Sequence, residues 1–182
     1  WILDRLQHLL REVDLQLREY RFDLASQALY DFAWNEFCDW FLELAKPALA
    51  SDDTAVADST RHTLLHVLET LLRALHPLIP FVTEEIWQSV KPRLGIDADS
   101  ISTQAYPQFD ESQRSPDAAA DIEWLKAVVT QLRSIRSQMG IAPARAVPLR
   151  LQGGDASDHD RLRRHDAALR FLARLDSIET ID

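Results

Sequence analysis

The sequence contains a single cysteine, Cys38, and only four glycines among 182 residues. A lone cysteine cannot form an internal disulfide, and it excludes zinc sites built from several cysteines. Four glycines are too few for a glycine-rich phosphate cradle of the dinucleotide or P-loop type. The motifs G-x-S-x-G and H-E-x-x-H are absent as well. We therefore expect no catalytic site in this sequence.

Long apolar runs are also missing. No run approaches the roughly 20 residues that a membrane span needs, and no basic stretch precedes a short apolar one as in a signal peptide. We therefore expect a cytoplasmic protein without a membrane partner. The sequence opens on Trp1 with a helical repeat already under way, which indicates a piece excised from a longer chain.

Metal ligands are sparse. His62 and His66 have the i, i+4 spacing at which two imidazoles on one helix face can share a metal. No third ligand lies near them in the sequence, so a solvated helix face explains the pair better. We expect no metal and no cofactor in this part of the chain.

The formal net charge is −9, which argues against nucleic acid because phosphate backbones are bound mainly through lysine and arginine. The charge is unevenly distributed, however. Residues 1–100 carry 9 basic and 17 acidic groups, whereas residues 133–174 carry 9 arginines and 4 aspartates. A polyanion should therefore prefer the second half of the chain.

Hydrophobic residues recur at intervals of three and four along the first hundred residues, which predicts four amphipathic helices. The first covers residues 1–20, the second covers about 23–45, the third ends at Pro77, and the fourth begins at Pro80. We expect Pro47 to lie beyond the second helix, because proline disrupts a helix interior. Four helices with short connections predict an antiparallel bundle.

The second predicted helix combines many aromatic side chains with many acids, in the stretch DFAWNEFCDWFLELAKP at residues 31–47. The spacing predicts that the aromatic rings face inward and the carboxylates face water. Cys38 lies within the aromatic stripe, so we expect it to be a small buried hydrophobic residue. The buried side of the fourth helix is expected to hold Phe81, Ile86, Trp87 and Val90.

A connector rich in Ser, Asp, Gln and Pro suggests a domain boundary near residue 110. Beyond it, the pattern predicts a helix, a strand at residues 146–152, a helix at residues 157–175 and a strand at residues 176–182. The expected fold class is mainly α, with an antiparallel helical bundle in residues 1–110 and a small α/β junction unit in residues 111–182.

Three arginines of the second half are candidates for phosphate binding. Arg133 and Arg136 lie one helical turn apart, off the apolar stripe of their helix, and Arg145 follows in the loop. Several neighbouring guanidinium groups suit phosphates. The alternative, a solvated face that pairs with carboxylates such as Asp121 and Glu123, is equally compatible with the composition.

Four sequence blocks together carry a family resemblance. They are RFDLASQALYDFAWNEFCDWFLELAKP, TLLHVLETLLRALHPLIPFVTEEIWQSV, AYP and WLKAVVTQLRSIRSQMGIAPARAVPL. In order and spacing they resemble the region of bacterial valyl-tRNA synthetases, which are class I aminoacyl-tRNA synthetases, downstream of the catalytic domain. The resemblance covers about residues 1–152.

The resemblance implies an anticodon-binding helical bundle followed by a small α/β junction. The expected partners are tRNA(Val) and the catalytic domain of the same chain, in a monomer. The signatures His-Ile-Gly-His and Lys-Met-Ser-Lys-Ser are absent, so ATP with Mg²⁺ is expected to act only in the full-length enzyme. The resemblance also implies tRNA-binding roles for Asn35 and Trp40, near the inner bend of the tRNA, beside Arg133, Arg136 and Arg145.

Two alternatives remain open from the sequence. Leucyl- and isoleucyl-tRNA synthetases share the bundle and the block HPLIPFVTEEIW, so the equivalent region of either enzyme is possible. A helical protein-interaction bundle without RNA contact is the other alternative, and the net charge of −9 favours it.

Overall fold

The computed structural model describes residues 1–181, and the chain is mainly helical, which confirms the expected fold class. The elements are α1 Ile2–Arg18, α2 Phe22–Asp31, a π-helical segment Phe32–Phe41, α3 Leu42–Leu49, α4 Thr54–Leu75, α5 Pro80–Val90, α6 Pro116–Gln138, β1 Val147–Gln152, α7 Ala156–Arg164, α8 Asp166–Ala173 and β2 Leu175–Ile181. Short 3-10 segments cover Lys91–Leu94, Ile101–Thr103 and Glu111–Gln113. Within residues 1–181, no helix is both long and apolar enough to cross a membrane.

The chain divides into two compact units, residues 1–116 and residues 117–182. The sequence suggested a boundary near residue 110, and the structural division falls later for a local reason. Asp4 of α1 is buried and accepts hydrogen bonds from Arg114 Nε at 2.6 Å and from the Ser115 N–H at 2.8 Å. These bonds tie the end of the connector to the first unit.

The core of the first unit lies between α1, α2, the π-helical segment and α4. Its buried members include Leu6, Val13, Leu29, Phe37 and Val67. The helix α4 begins where Asp53 accepts hydrogen bonds from the backbone N–H groups two and three residues ahead, an N-cap that satisfies donors left open by the first turn. The periodic apolar stripes thus bury one face of each helix.

The π-helical segment replaces part of the long second helix that the sequence predicts. Its hydrogen bonds run from residue i to i+5, so inward positions are more widely spaced than in an α-helix. Phe32, Phe37 and Phe41 are the buried residues, at intervals of five and four. The expectation that Cys38 is buried is wrong, since it lies exposed one position beyond Phe37.

Pro47 lies within α3, contrary to the expectation that the second helical region ends before it. The helix ends at Leu49, only two residues further along the chain. Proline has no N–H to bond to the carbonyl four residues earlier, and its ring crowds that carbonyl, so a helix usually bends or stops close to it. At this position the interruption coincides with the end of the helix.

A second apolar cluster joins α5 to the end of α4 and the segment after α5. Trp87 is fully buried in it, together with Val90, as the sequence predicts. Phe81 and Ile86 are 90% and 40% exposed, so their predicted burial is wrong. The buried face of α5 runs through Thr83, Trp87 and Val90; at 3.6 residues per turn, Phe81 points away from it.

The second unit contains a two-stranded parallel sheet, β1 paired with β2. The strand β1 is short, contains apolar residues, and is bounded by Pro143 and by Gly153 and Gly154, as the sequence predicts. The single helix expected over residues 157–175 is divided at His165 into α7 and α8. These two helices form the connection that parallel strands require.

Candidate functional site

Arg136 lies near the end of α6, and its side chain is buried. Its Nη2 donates to the carbonyl oxygens of Ala142, Pro143 and Arg145 at 3.1, 3.4 and 2.6 Å. Its Nη1 donates to the carbonyl of Arg174 at 3.4 Å. The guanidinium therefore holds the loop before β1 and the turn before β2, and most of its donors are used inside the protein.

Arg133 and Arg145 are exposed. Arg133 lies one turn before Arg136 on α6, and its Nη2 is 3.5 Å from the carbonyl oxygen of Leu172. Arg145 closes a turn in which its N–H donates to the Ala142 carbonyl at 3.0 Å. The structure thus brings the three predicted arginines into one region, with Arg136 beneath and the other two at the surface.

A groove of about 590 Å³ opens beside these arginines. Its charged lining residues are Arg133, Arg136 and Arg174, and within residues 1–181 no Asp or Glu belongs to the lining. Its remaining walls come from the loop Gly140–Pro143 and the end of α8. A concave surface that carries only positive charge concentrates anions.

The carboxylates that the sequence offered as partners for Arg133 and Arg136 are bonded to other cations. Asp121 pairs with Arg161 at 3.0 Å and also with Arg164. Glu123 pairs with Lys126 at 2.9 Å. Asp121 and Glu123 therefore pair with Arg161, Arg164 and Lys126 in the structure.

Asn35 and Trp40 both lie in the π-helical segment of the first unit. Asn35 is exposed and its amide is 3.5 Å from Asp31 Oδ1. It borders a cavity of about 500 Å³, whose charged lining residues are Arg5, Glu12, Asp31 and Glu36. Trp40 is half-buried and does not belong to that lining.

The surroundings of Asn35 are therefore predominantly acidic. Arg5, the one arginine of that cavity, lies 3.3 Å from Glu36 and pairs with it. Acidic surroundings disfavour phosphate groups, because like charges repel at short range. An RNA contact at Asn35 would therefore have to be made to a base or a ribose rather than to the backbone.

Two features, one in each unit, were not found from the sequence. The rings of Tyr30 and Trp34 are exposed and stack nearly parallel, with centroids 6.5 Å apart and 5° between their planes. Their i, i+4 spacing could have indicated a shared helix face. Arg174 borders the groove, but no local sequence pattern marked it, because its neighbours there come from distant parts of the chain.

His62 and His66 lie on α4. Burial lowers the pKa of the His66 imidazole, and the nearby His62 adds to the decrease. Within residues 1–181, no group of three His, Cys, Asp or Glu side chains is arranged to hold a metal ion. Although Cys38 is exposed, its thiol is partly shielded from water by neighbouring groups, and this desolvation, with a smaller contribution from the charge of Asp39, raises the pKa of the thiol; it is therefore less reactive than a free thiol.

Three known proteins that are similar to this chain are all valine–tRNA ligases. The chain is 56% identical over 181 residues to the valine–tRNA ligase of Xylella fastidiosa strain 9a5c. This alignment covers 98% of the chain and 18% of that protein. It is 54% identical over 180 residues to the valine–tRNA ligase of Stenotrophomonas maltophilia strain R551-3 and 55% identical over 181 residues to that of Xanthomonas campestris pv. campestris strain B100; each alignment covers 98% of this chain and 19% of the relative. The chain therefore spans about a fifth of the length of the curated relatives that it matches.

The family described as the anticodon-binding domain of tRNA ligase matches residues 1–151. That range includes the whole first unit, α6, and most of β1. It also contains the four blocks that carry the resemblance to bacterial valyl-tRNA synthetases, which the relatives confirm. This chain belongs to the anticodon-binding domain family of tRNA ligases.

Proposed function

We propose that this chain is the tRNA-binding, anticodon-recognition part of a valine–tRNA ligase. The complete enzyme would attach valine to tRNA(Val) in the cytoplasm, with ATP and Mg²⁺ bound by residues outside this chain. The observation that carries the proposal is the agreement between the family match over residues 1–151 and identities of 54–56% to valine–tRNA ligases.

The physical character of the chain supports a role in positioning RNA rather than in chemistry. Its first unit is a bundle whose apolar stripes are buried against each other, and such packing resists deformation. A rigid element of this kind can hold one end of a tRNA while the reaction takes place at the other end. In this proposal the chain acts with the catalytic domain of the same polypeptide, in a monomer.

The charges favour different RNA contacts in the two units. In the second unit, Arg133 and Arg145 are exposed beside a groove lined by arginines, which suits contacts to phosphates. In the first unit, the surroundings of Asn35 are acidic, so we propose contacts to bases through the Asn35 amide and the Trp40 ring. Unpaired bases are usually read by such stacking and edge contacts.

The experiment is a binding titration of tRNA(Val) against the complete ligase, repeated over a range of salt concentrations, with nuclease footprinting of the anticodon arm. We expect affinity to fall steeply with salt and the anticodon nucleotides to be protected. Equal accessibility of those nucleotides with and without protein would refute the proposal. A tRNA(Val) transcript with a changed anticodon is the matched control.

The alternatives give different results in the same experiments. The leucine or isoleucine enzyme would charge its own tRNA in an aminoacylation assay, and the anticodon exchange would restore activity rather than abolish it. A helical bundle that binds only protein, which the net charge of −9 favours, would show no RNA binding that depends on salt. Either result would replace the proposed function.

A further inference from the structure

We propose that the first unit binds a small apolar molecule, about the size of a benzene or indole ring, in a cavity at one end of the bundle. This end cavity has a volume of about 170 Å³ and lies between α1, α2, the end of α4 and the connector that follows α5. Its lining includes Val13, Leu29, Ala74, Leu78 and Tyr106. The ligand is not RNA, so the inference goes beyond the proposed function.

The inner walls of the end cavity are apolar because three helices turn their core-facing stripes toward it. Val13 of α1, Leu29 of α2 and Ala74 of α4 line it, and each is buried. Ala25 of α2 lines it as well and is also buried. Two of these four wall residues are alanines, so the space that larger side chains would fill stays open between the helices.

The end cavity offers little to a polar ligand. Among the described residues that line it, Tyr106 has the only polar side chain. The Tyr106 hydroxyl already donates to the carbonyl of Ala74 at 3.1 Å. An internal water needs two to four polar partners, and a nucleobase placed here would lose hydrogen bonds that it makes to water. An apolar molecule loses none, so the lining selects for it.

The volume sets the size of the ligand. A protein cavity of about 150 Å³ lined by apolar side chains stays dry and binds benzene or xenon. The end cavity, at about 170 Å³, is comparable. One aromatic ring, or a branched aliphatic group of similar volume, therefore fits the space, and a larger molecule would have to extend through the mouth.

The mouth of the end cavity carries exposed rings. Phe22 and Leu78 line the cavity and are exposed. The ring of Tyr20 meets that of Phe22 edge on, with centroids 6.4 Å apart and 83° between their planes. Tyr20 is 81% exposed and has a φ of 57°, in the left-handed region that favours glycine. A large exposed ring held in this conformation beside the mouth points to a function there.

The first test is X-ray diffraction from crystals of the complete ligase pressurised with xenon, whose anomalous scattering locates the bound atom. We expect a xenon atom in the end cavity, near Leu29 and Leu78. A cavity without xenon, or one that holds ordered water molecules in the untreated crystal, would overturn the inference.

The second test is a calorimetric titration of the complete ligase with indole. Ala25→Leu places additional carbon atoms in the end cavity, so it should lower the affinity for indole by about tenfold or more. The same filling should leave the unfolding temperature unchanged or raise it. Equal indole affinity in Ala25→Leu and the wild type would overturn the inference.

The matched control is Ala55→Leu, which makes the same change at an exposed position of α4 outside the lining. It should bind indole as the wild type does, and an equal loss in this control would also overturn the inference. The xenon experiment uses the wild type alone, so the proposal stays falsifiable if Ala25→Leu does not fold.

A third arm repeats the indole titration with the ligase saturated with tRNA(Val). We expect indole still to bind, because the lining disfavours a nucleobase. Displacement of indole by the tRNA would overturn the inference, by assigning the end cavity to an unpaired base. The proposed function is tested by the binding of tRNA itself, so it does not depend on whether indole or xenon binds.

Discussion

Replacement of Trp87 tests whether the core of the first unit depends on a polar bond as well as on apolar packing. Trp87 is fully buried, and its Nε1 donates to Glu69 Oε1 at 3.0 Å. Glu69 is itself buried and accepts from Arg73 Nε and Nη2 at 2.8 and 2.9 Å. The indole therefore fills the core and also supplies one of the donors to a buried carboxylate.

Two variants separate these contributions. Trp87→Ala should lower the free energy of unfolding by about 3–5 kcal/mol, because it leaves a large cavity. Trp87→Phe keeps most of the ring but removes the donor to Glu69. A hydrogen bond to a charged group contributes about 1.5–3 kcal/mol, so we expect Trp87→Phe to cost about 2 kcal/mol.

The assay is urea denaturation followed by far-ultraviolet circular dichroism, with the slope against urea checked for each variant. Trp34→Phe makes the same chemical change at a side chain that is 57% exposed, and should change the free energy of unfolding by less than about 0.5 kcal/mol. If Trp87→Phe lowers the free energy of unfolding by no more than this control does, the hydrogen bond to Glu69 makes no net contribution to stability. A cost of Trp87→Ala below about 1 kcal/mol would refute the assignment of Trp87 to the core.

Three further predictions concern Asp4, Cys38 and Arg136. Burial alone would raise the pKa of Asp4, but the hydrogen bonds from Arg114 and the Ser115 N–H outweigh it and hold the pKa below the usual 3.8. Asp4→Asn should therefore lower the free energy of unfolding by about 3 kcal/mol at pH 7. The difference in free energy of unfolding between the variant and the wild type should narrow as the pH falls below about 4. Cys38 is exposed, so one thiol per chain should react with a disulfide reagent without denaturant, and slowly because its pKa is raised. Arg136→Met should lower the free energy of unfolding by about 3 kcal/mol, because it leaves several carbonyls without their donor, and should speed amide exchange at residues 140–145.

Each of these has a control. For Asp4, the sign follows from linkage: a carboxyl whose pKa is lowered on folding stabilises the protein above its usual pKa and loses that effect as it is protonated. Asp160→Asn, at an exposed carboxylate, should show no comparable pH dependence. A Cys38 thiol that reacts only in urea would restore the burial expected from the sequence. Arg133→Met should leave amide exchange in the loop unchanged, since the Nη2 of Arg133 lies at the carbonyl of Leu172, at the end of α8.

The fold class and most elements could be predicted from the sequence because amphipathic periodicity is local. Spacing, capping and proline alone predict the helix α4, the start of α5 at Pro80, the strand β1 and the burial of Trp87. The exposure of Phe81 was missed because an apolar residue in the first turn looks the same in sequence on either face of a helix.

The exposure of Cys38 was missed for a different reason. A shift from i+4 to i+5 hydrogen bonding changes which of the following residues face the core. No rule of composition or spacing predicts that shift. The structure therefore rotates the aromatic stripe of residues 32–41 relative to the one that a regular α-helix would present.

The sequence alone determined that the chain would form amphipathic helices with a small sheet, and that its positive charge would lie in the second half. Both properties depend on residue types and their spacing along the chain. Only the tertiary structure decided that Arg136 would be buried under Arg133 and Arg145, and that Arg174 would join their groove. The bond from Arg136 to the Arg174 carbonyl joins residues 38 positions apart, and the acceptors that such a guanidinium finds exist only once the chain has folded.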